Sequence, residues 1–108
     1  MSDAPAPRLT VLSVVRAVAD EWRIGEREIL SDRRGRQVAE ARHVAIWLAR
    51  DLLPHSLPRI GRAMRRDHST VLYALGKVDR LLGADTALAA RVAAVRQRIA
   101  EAHGGRTA

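Results

Sequence analysis

The stretch SLPRIGRAMRRDHSTVLYAL, residues 56–75, decides the fold. Ser56 is a typical helix N-cap, and Pro58 falls in the first helical turn, where its missing N–H costs nothing. This first helix is short and ends at a turn of two arginines. Asp67 is a suitable N-cap for a second helix, which opens with small polar residues. Two helices joined by a tight turn, the second one capped by an aspartate, predict a helix-turn-helix.

Upstream of this pair, the sequence predicts two longer helices and a basic loop. Apolar residues recur at the three- and four-residue spacings of an amphipathic helix in Leu9, Leu12, Val15, Ala19 and Trp22. Gly25 breaks this helix, and a short helical turn follows over Glu26–Leu30. The segment Ser31–Arg36 has no apolar residue and a central glycine, which predicts an exposed basic loop. A helix over Val38–Leu53 is then ended by Pro54.

Downstream, the second helix of the pair continues and a last helix follows. The buried side of the second helix is predicted from its apolar residues, Val71, Leu72, Leu75, Val78, Leu81 and Leu82. Gly83 is expected to end that helix, and Asp85 caps a last one over Thr86–Ala102. The predicted fold class is therefore all-α, a compact bundle of about five to six helices that contains the helix-turn-helix.

Size and charge point to one small basic domain. The chain has 108 residues, and we place the domain at residues 9–103, between a disordered N-terminal tail at 1–8 and a flexible C-terminus at 104–108. Nineteen basic residues against twelve acidic ones give a net charge of +7, which is typical of nucleic-acid binding. Lys77 is the single lysine. Codon bias explains why the other basic residues are arginines, but it does not explain the positive net charge.

Other kinds of chemistry find little support in the sequence. There is no cysteine, so disulfides and thiolate metal sites are excluded. The four histidines do not pair at the spacing of metal ligands, and Asp67-His68-Ser69 are neighbours on one helical turn, not a catalytic triad. No segment looks like a secretory signal or a membrane span, and the core needs the apolar helix faces. We therefore expect a soluble, cytoplasmic protein without enzyme activity, cofactor, metal or membrane partner.

The start of the second helix carries the candidate base readers. It presents short or planar hydrogen-bonding side chains, Asp67, His68, Ser69 and Thr70. The major groove of DNA admits one helix, and residues in its first turns meet the base edges. Arg65, Arg66 and the N-terminal N–H groups of the helix can approach phosphates. Asp67 is equally explained as a cap alone and His68 as a solvated surface residue, so these alternatives stay open.

The run Arg66-Asp-His-Ser-Thr-Val71, preceded by Ser56-Leu-Pro-Arg-Ile-Gly61, resembles the C-terminal DNA-binding domain (domain IV) of the bacterial replication initiator family DnaA. The similarity continues backward through Ala41–Leu52 and the basic loop Ile29–Arg36, so it covers roughly residues 10–82. The initiators also carry an ATPase module, whose Gly-x-x-x-x-Gly-Lys-Ser/Thr phosphate loop does not occur here. The resemblance therefore implies a free-standing DNA-binding domain.

The resemblance also implies a role for each matching position. Arg34 corresponds to the loop arginine that enters the minor groove, with Arg36 as its neighbour. The major-groove readers correspond to Arg66, Asp67, His68, Ser69 and Thr70. The phosphate-backbone contacts correspond to Arg42, Arg50, Leu57 and Pro58, with Arg65 beside the turn. The target of the family is an asymmetric nine-base-pair box bound by one domain. The turn Met64–Asp67 is one residue shorter than the family's usual turn, and Ser69 stands where threonine is common.

Two functions remain open at this point. In the first, the protein binds double-stranded DNA as a monomer at DnaA-box-like sites in the nucleoid and regulates replication initiation or transcription. In the second, it is a protein-interaction module that binds the replication initiator or its inactivating machinery, with DNA binding secondary. The last helix has an apolar face that either closes the core or seats a partner, Leu88, Val92, Val95 and Ile99. Retention of Arg34 and of residues 66–70 favours DNA.

Overall fold

A computed structural model of the chain describes residues 8–103, which form six α-helices. In chain order they are α1 (Val11–Trp22), α2 (Glu26–Leu30), α3 (Arg36–Leu52), α4 (Leu57–Met64), α5 (His68–Ala84) and α6 (Thr86–Ala102). The all-α bundle predicted from the sequence is thus confirmed. Residues 1–7 of the predicted tail and the predicted flexible C-terminus at 104–108 lie outside the described residues. No helix within 8–103 is both long and apolar enough to cross a membrane.

Helix α3 is the centre of the bundle. It packs against α1, α2, α4 and α5, while α6 packs against α1 and α5. Its buried residues are Ala41, Arg42, Val44, Ala45, Ile46, Leu48 and Ala49. The small alanines allow neighbouring helices to approach closely, and the branched side chains fill the space between them. Because α3 contacts both helices of the helix-turn-helix, it fixes their position relative to the basic loop that precedes α3.

Helix α3 begins two residues earlier than the apolar pattern predicts. Gly35 is its N-cap, and the amide of Ala39 donates to the Gly35 carbonyl at 2.9 Å. Arg36, which the sequence analysis placed in the loop, is therefore the first residue of α3. The reason is that a first turn needs no buried residue, so an apolar pattern that starts at Val38 does not reveal it.

Helix α5 differs from the prediction at two positions. Gly83 lies inside its last turn, and Asp85 ends α5 and caps α6, accepting from the amide of Leu88 at 3.0 Å. A glycine ends a helix when its backbone turns left-handed, but here the aspartate cap provides the stop. Leu72 was predicted on the buried side and is 48% exposed. The core side of α5 consists instead of Val71, Ala74, Leu75 and Val78. Leu12, which was assigned to the apolar face of α1, is likewise exposed.

A close approach of backbone to backbone defines the turn between α4 and α5. Arg65 adopts the left-handed conformation, with φ of 60°, and ends α4. The amide of Arg66 then donates to the carbonyl of Gly61 at 2.9 Å. A Cβ atom on Gly61 would lie 2.8 Å from the Arg66 carbonyl oxygen and 3.4 Å from Cγ2 of Val71. The close approach of the turn therefore favours glycine at position 61, because a side chain there would displace the backbone of Arg66.

Helix α6 closes the core with the apolar face noted in its sequence. Its buried residues are Leu88, Val92, Val95 and Ile99. Two arginines hold its outer edge: the Arg91 guanidinium lies 3.9 Å from the ring centre of Trp22, and Arg96 pairs with Asp51 at 2.6 Å. Of the two interpretations of this face, burial in the core is the one that the fold confirms.

Candidate nucleic-acid interface

A groove of about 520 Å³ joins the basic loop to the start of α5. Its walls come from the loop, α3, the turn and the first turn of α5, and its lining residues are Asp32, Arg33, Arg34, Arg42, Arg65, Arg66, Asp67 and Thr70. Five of these eight are arginines, so the groove carries a concentrated positive charge that suits a polyanion. Candidates for minor-groove, phosphate and major-groove contact therefore border one cavity, although they are spread over 39 residues of sequence, from 32 to 70.

The buried side chain of Arg42 on α3 is hydrogen-bonded to the backbone at the start of the basic loop. Its side chain is 7% exposed. Its Nε donates to the carbonyl of Ile29 at 2.7 Å, and its Nη2 donates to the carbonyls of Ser31 at 2.8 Å and Glu28 at 3.2 Å. Burial and the nearby charge of Arg66 lower the pKa of Arg42 from its ordinary value, against the opposing effect of Asp32. The three carbonyls at the end of α2 are thereby satisfied by one cation, which fixes the start of the loop.

Arg66 reaches the same point of the loop from the turn. Its Nη2 donates to the carbonyl of Ser31, and its Nη1 donates to the carbonyl of Arg65 at 2.9 Å. The Ser31 carbonyl therefore accepts from two guanidinium groups, one on α3 and one in the turn between α4 and α5. This shared acceptor sets the distance between the loop that carries Arg34 and the N-terminus of α5.

The first turn of α5 is held by its aspartate cap. The Asp67 carboxylate accepts from the amide of Thr70 at 2.9 Å and from the hydroxyl of Ser69 at 3.0 Å. The hydrogen bond from the Thr70 amide is the largest effect that lowers the pKa of Asp67, and hydrogen bonds from the hydroxyls of Thr70 and Ser69 lower it further. The carboxylate is thus an occupied acceptor, as expected of a cap. His68 and Ser69 are exposed and Thr70 is half-buried, so the turn presents imidazole and hydroxyl groups to the solvent.

Of the other predicted contact residues, Arg34 and Arg65 line this groove, whereas Arg36 and Arg50 do not. Arg34 is exposed on the loop, and Arg65 is exposed at the turn. Arg36 lines a neighbouring cleft of about 470 Å³ between α3, α5 and α6, beside His43 and Lys77. Arg50 lies two turns further along α3 than Arg42 and is 3.9 Å from the Asp79 carboxylate on α5, outside the lining of the groove.

Leu57 and Pro58 lie in the first turn of α4, which Ser56 caps through its hydroxyl. The hydroxyl oxygen accepts from the amide of Arg59 at 3.2 Å. Leu57 is half-buried against the core and Pro58 is exposed. Pro58 has no N–H and the amide of Arg59 is already bonded to Ser56, so a phosphate contact through a backbone N–H of these residues falls to Leu57.

His43 lines the neighbouring cleft, together with Arg36 and Lys77. Its ring meets that of Tyr73 edge-on, with 5.6 Å between the ring centres. The pKa of His43 is lowered mainly by burial and further by the positive charges of Lys77 and Arg42, while the negative charge of Glu40 raises it. The lowered pKa of His43 favours the neutral imidazole, so protonation of this side chain opposes the folded state.

One feature of the site could not be predicted from the sequence. The inward bonds of Arg42 could not be seen, because its acceptors are backbone carbonyls 11 to 14 residues away. Arg59 and Arg62 are exposed three residues apart on α4, but neither lines the groove.

Comparison with known proteins matches the chain to one family. The sequence model of the bacterial DnaA protein helix-turn-helix matches residues 11–78. The chromosomal replication initiator protein DnaA of Sphingopyxis alaskensis is 44% identical over 94 residues, which are 86% of this chain and 21% of the relative. The DnaA protein of Brucella abortus is 43% identical over 83 residues (76% and 17%), and that of Caulobacter vibrioides is 42% identical over 82 residues (75% and 17%). The chain spans about a fifth of the length of the curated relatives it matches.

Proposed function

This chain belongs to the bacterial DnaA helix-turn-helix family, and from that premise we propose that it binds double-stranded DNA at DnaA-box-like sites. Binding at such sites would regulate replication initiation or transcription, and it would place the protein at the nucleoid in the cytoplasm. The observation that carries the proposal is the arginine-lined groove, in which the basic loop and the start of α5 border one cavity.

In the proposed complex, the N-terminal turn of α5 enters the major groove. His68 and Ser69 are exposed there. The ring nitrogens of His68 can donate to or accept from base edges, and the Ser69 hydroxyl, which donates to Asp67, can still accept. Thr70 offers a hydroxyl and a methyl group next to them. Asp67 orients this turn by capping it, and Arg66, which precedes the turn, holds it in place by donating a hydrogen bond to the Ser31 carbonyl. Both act on the base readers through the position of the helix, in addition to any contact with bases.

Arg34 enters the adjacent minor groove in this proposal, with Arg36 beside it. A narrow minor groove has an enhanced negative potential that attracts arginine and is typical of A·T-rich steps. For both grooves to be read by one domain, the loop and α5 must be held at a fixed separation. The bonds of Arg42 and Arg66 to the Ser31 carbonyl supply that constraint.

Phosphate contacts would hold the domain on the duplex without reading sequence. We assign them to Arg50 and Arg65, to the main-chain N–H of Leu57 beside Pro58, and to Arg42. Nε and Nη2 of Arg42 are already bonded to carbonyls, which leaves its Nη1 for a phosphate.

The proposal is tested by fluorescence-anisotropy titration of a duplex that carries the initiator's box and of a scrambled duplex, at near-physiological salt. We expect the box to be bound about a thousandfold more tightly or better, the usual range for specific recognition. Arg50→Ala should weaken binding to both duplexes alike and reduce the salt slope by about 0.9, as expected for one lost phosphate contact. Equal, weak and salt-sensitive binding to both duplexes would overturn the proposal and leave the protein-interaction function.

A further inference from the structure

Two exposed apolar side chains lie next to each other on α5, just beyond the proposed base readers. Leu72 is 48% exposed and Tyr73 is 56% exposed. Leu12 on α1 is exposed to a similar degree, 42%. An isolated exposed leucine is ordinary in a folded protein. Leu72 is significant because of its place on the helix that is proposed to enter the major groove.

Helix geometry places Leu72 on the same face as His68 and Ser69. A residue four positions after His68 is rotated by about 40° from it, and Ser69 is rotated by about 100°. Leu72 therefore lies between these two residues in angle, about 6 Å beyond His68 and about 4.5 Å beyond Ser69 along the helix axis. The residues that α5 turns toward the core are Val71, Ala74, Leu75 and Val78. Leu72 is absent from the side chains that pack on the core within residues 8–103.

Tyr73, by contrast, is held against the flank of the domain. Its ring meets the ring of His43 on α3 at 5.6 Å and an angle of 73°, and the ammonium of Lys77 lies 5.8 Å from its centre. The tyrosine therefore has protein partners that account for its position. Leu72 is left as the apolar side chain that continues the row of His68 and Ser69.

We propose that Leu72 is a further specificity-determining residue, which packs on the C5-methyl group of a thymine in the major groove. The inference rests on the proposed function, since it requires α5 to lie in that groove. An isobutyl side chain has no hydrogen-bonding atom, and the thymine methyl is the apolar group that base edges present there. Leu72 thus adds apolar readout, one or two base steps beyond the bases that His68 and Ser69 meet.

The test replaces the thymines of the box one at a time by deoxyuridine, which removes only the methyl group. Binding is measured by anisotropy for the wild type, Leu72→Ala, Leu72→Met and the exposed control Leu12→Ala. At one thymine we expect wild type to bind about fourfold more weakly, the equivalent of one buried methyl group. Leu72→Ala should show no difference at that position, whereas Leu72→Met and Leu12→Ala should keep the wild-type difference.

The outcomes separate this inference from the function on which it rests. If wild type prefers the box to a scrambled duplex but tolerates deoxyuridine at every position, the role of Leu72 is refuted and the proposed function stands. If Leu72→Ala keeps the sensitivity of wild type, another side chain such as Thr70 reads the methyl group, and the inference is wrong. If wild type does not prefer the box, both are overturned.

Discussion

Gly61→Ala tests the tight packing of α4 on α5, on which the whole interface depends. The new Cβ would lie 2.8 Å from the Arg66 carbonyl oxygen and 3.4 Å from Cγ2 of Val71. The carbonyl belongs to the backbone, so relief of this overlap must move the turn itself. Displacements of this kind cost about 1–3 kcal/mol. Replacement of glycine by alanine within a helix returns about 1 kcal/mol through helix propensity, which leaves a net loss of about 1 kcal/mol in the free energy of unfolding.

Gly76→Ala is the matched control, because it makes the same chemical change inside the neighbouring helix. A Cβ on Gly76 would meet Nη1 of Arg80 at 3.6 Å, an ordinary contact with the end of a flexible side chain. The propensity gain is common to both variants, so the difference between them isolates the cost of the close approach. We expect Gly76→Ala to be more stable than Gly61→Ala by about 2 kcal/mol.

Thermal denaturation followed by circular dichroism measures this difference. Since 1 kcal/mol shifts the Tm of a domain of this size by about 4–8 °C, Gly61→Ala should melt below the wild type and Gly76→Ala above it, about 10 °C apart. In anisotropy titrations well below its Tm, Gly61→Ala should also discriminate less between box and scrambled DNA. A Tm for Gly61→Ala equal to or above that of the wild type would refute the packing argument.

The other predictions concern the interface and its pH dependence. Arg42→Ala should lower the free energy of unfolding by about 2–4 kcal/mol in urea denaturation, because backbone carbonyls are left without a donor. The control Arg50→Ala, at an exposed position, should change it by less than about 0.5 kcal/mol. Equal effects of the two substitutions would contradict the structural role of Arg42. His68→Ala should cost roughly 1–3 kcal/mol of discrimination between box and scrambled DNA, and an equal loss on both duplexes would argue against base reading. Because the fold lowers the pKa of His43, the unfolded chain takes up a proton first, so Tm should fall as pH drops below about 6.5. His43→Gln should weaken that fall, and an unchanged pH profile would contradict the assignment.

The fold was predictable because helix caps and apolar spacing are local. Thr10, Ser56, Asp67 and Asp85 each accept a backbone N–H where a helix begins, and such caps can be recognised in the sequence. The predictions were wrong where the spacing of apolar residues gives no signal or fits two arrangements. The first turn of α3 holds no buried residue, and adjacent apolar residues such as 71 and 72 lie about 100° apart on a helix, so apolar character alone does not show which of them faces the core. The spacing of Val71 from the later buried positions would have identified Leu72 as the exposed one.

The candidate site was predictable in its residue types but not in its construction. Resemblance supplied the positions of Arg34, His68 and Thr70, because a family motif preserves order and spacing. It did not supply the inward bonds of Arg42 or the bond of Arg66 to the same carbonyl of Ser31. Those contacts join segments up to 35 residues apart through backbone acceptors, whose positions depend on the tertiary fold and not on side-chain identity.

The central claim is that the basic loop and the start of α5 form a single DNA-binding surface. The most direct test is a titration of isotopically labelled protein with the box duplex, followed by amide chemical-shift changes in NMR spectra. We predict that the largest changes fall together in two segments, residues 31–36 and 65–73, while α6 (Thr86–Ala102) stays close to its free spectrum. Changes confined to one of the two segments, or centred on α6, would contradict the account.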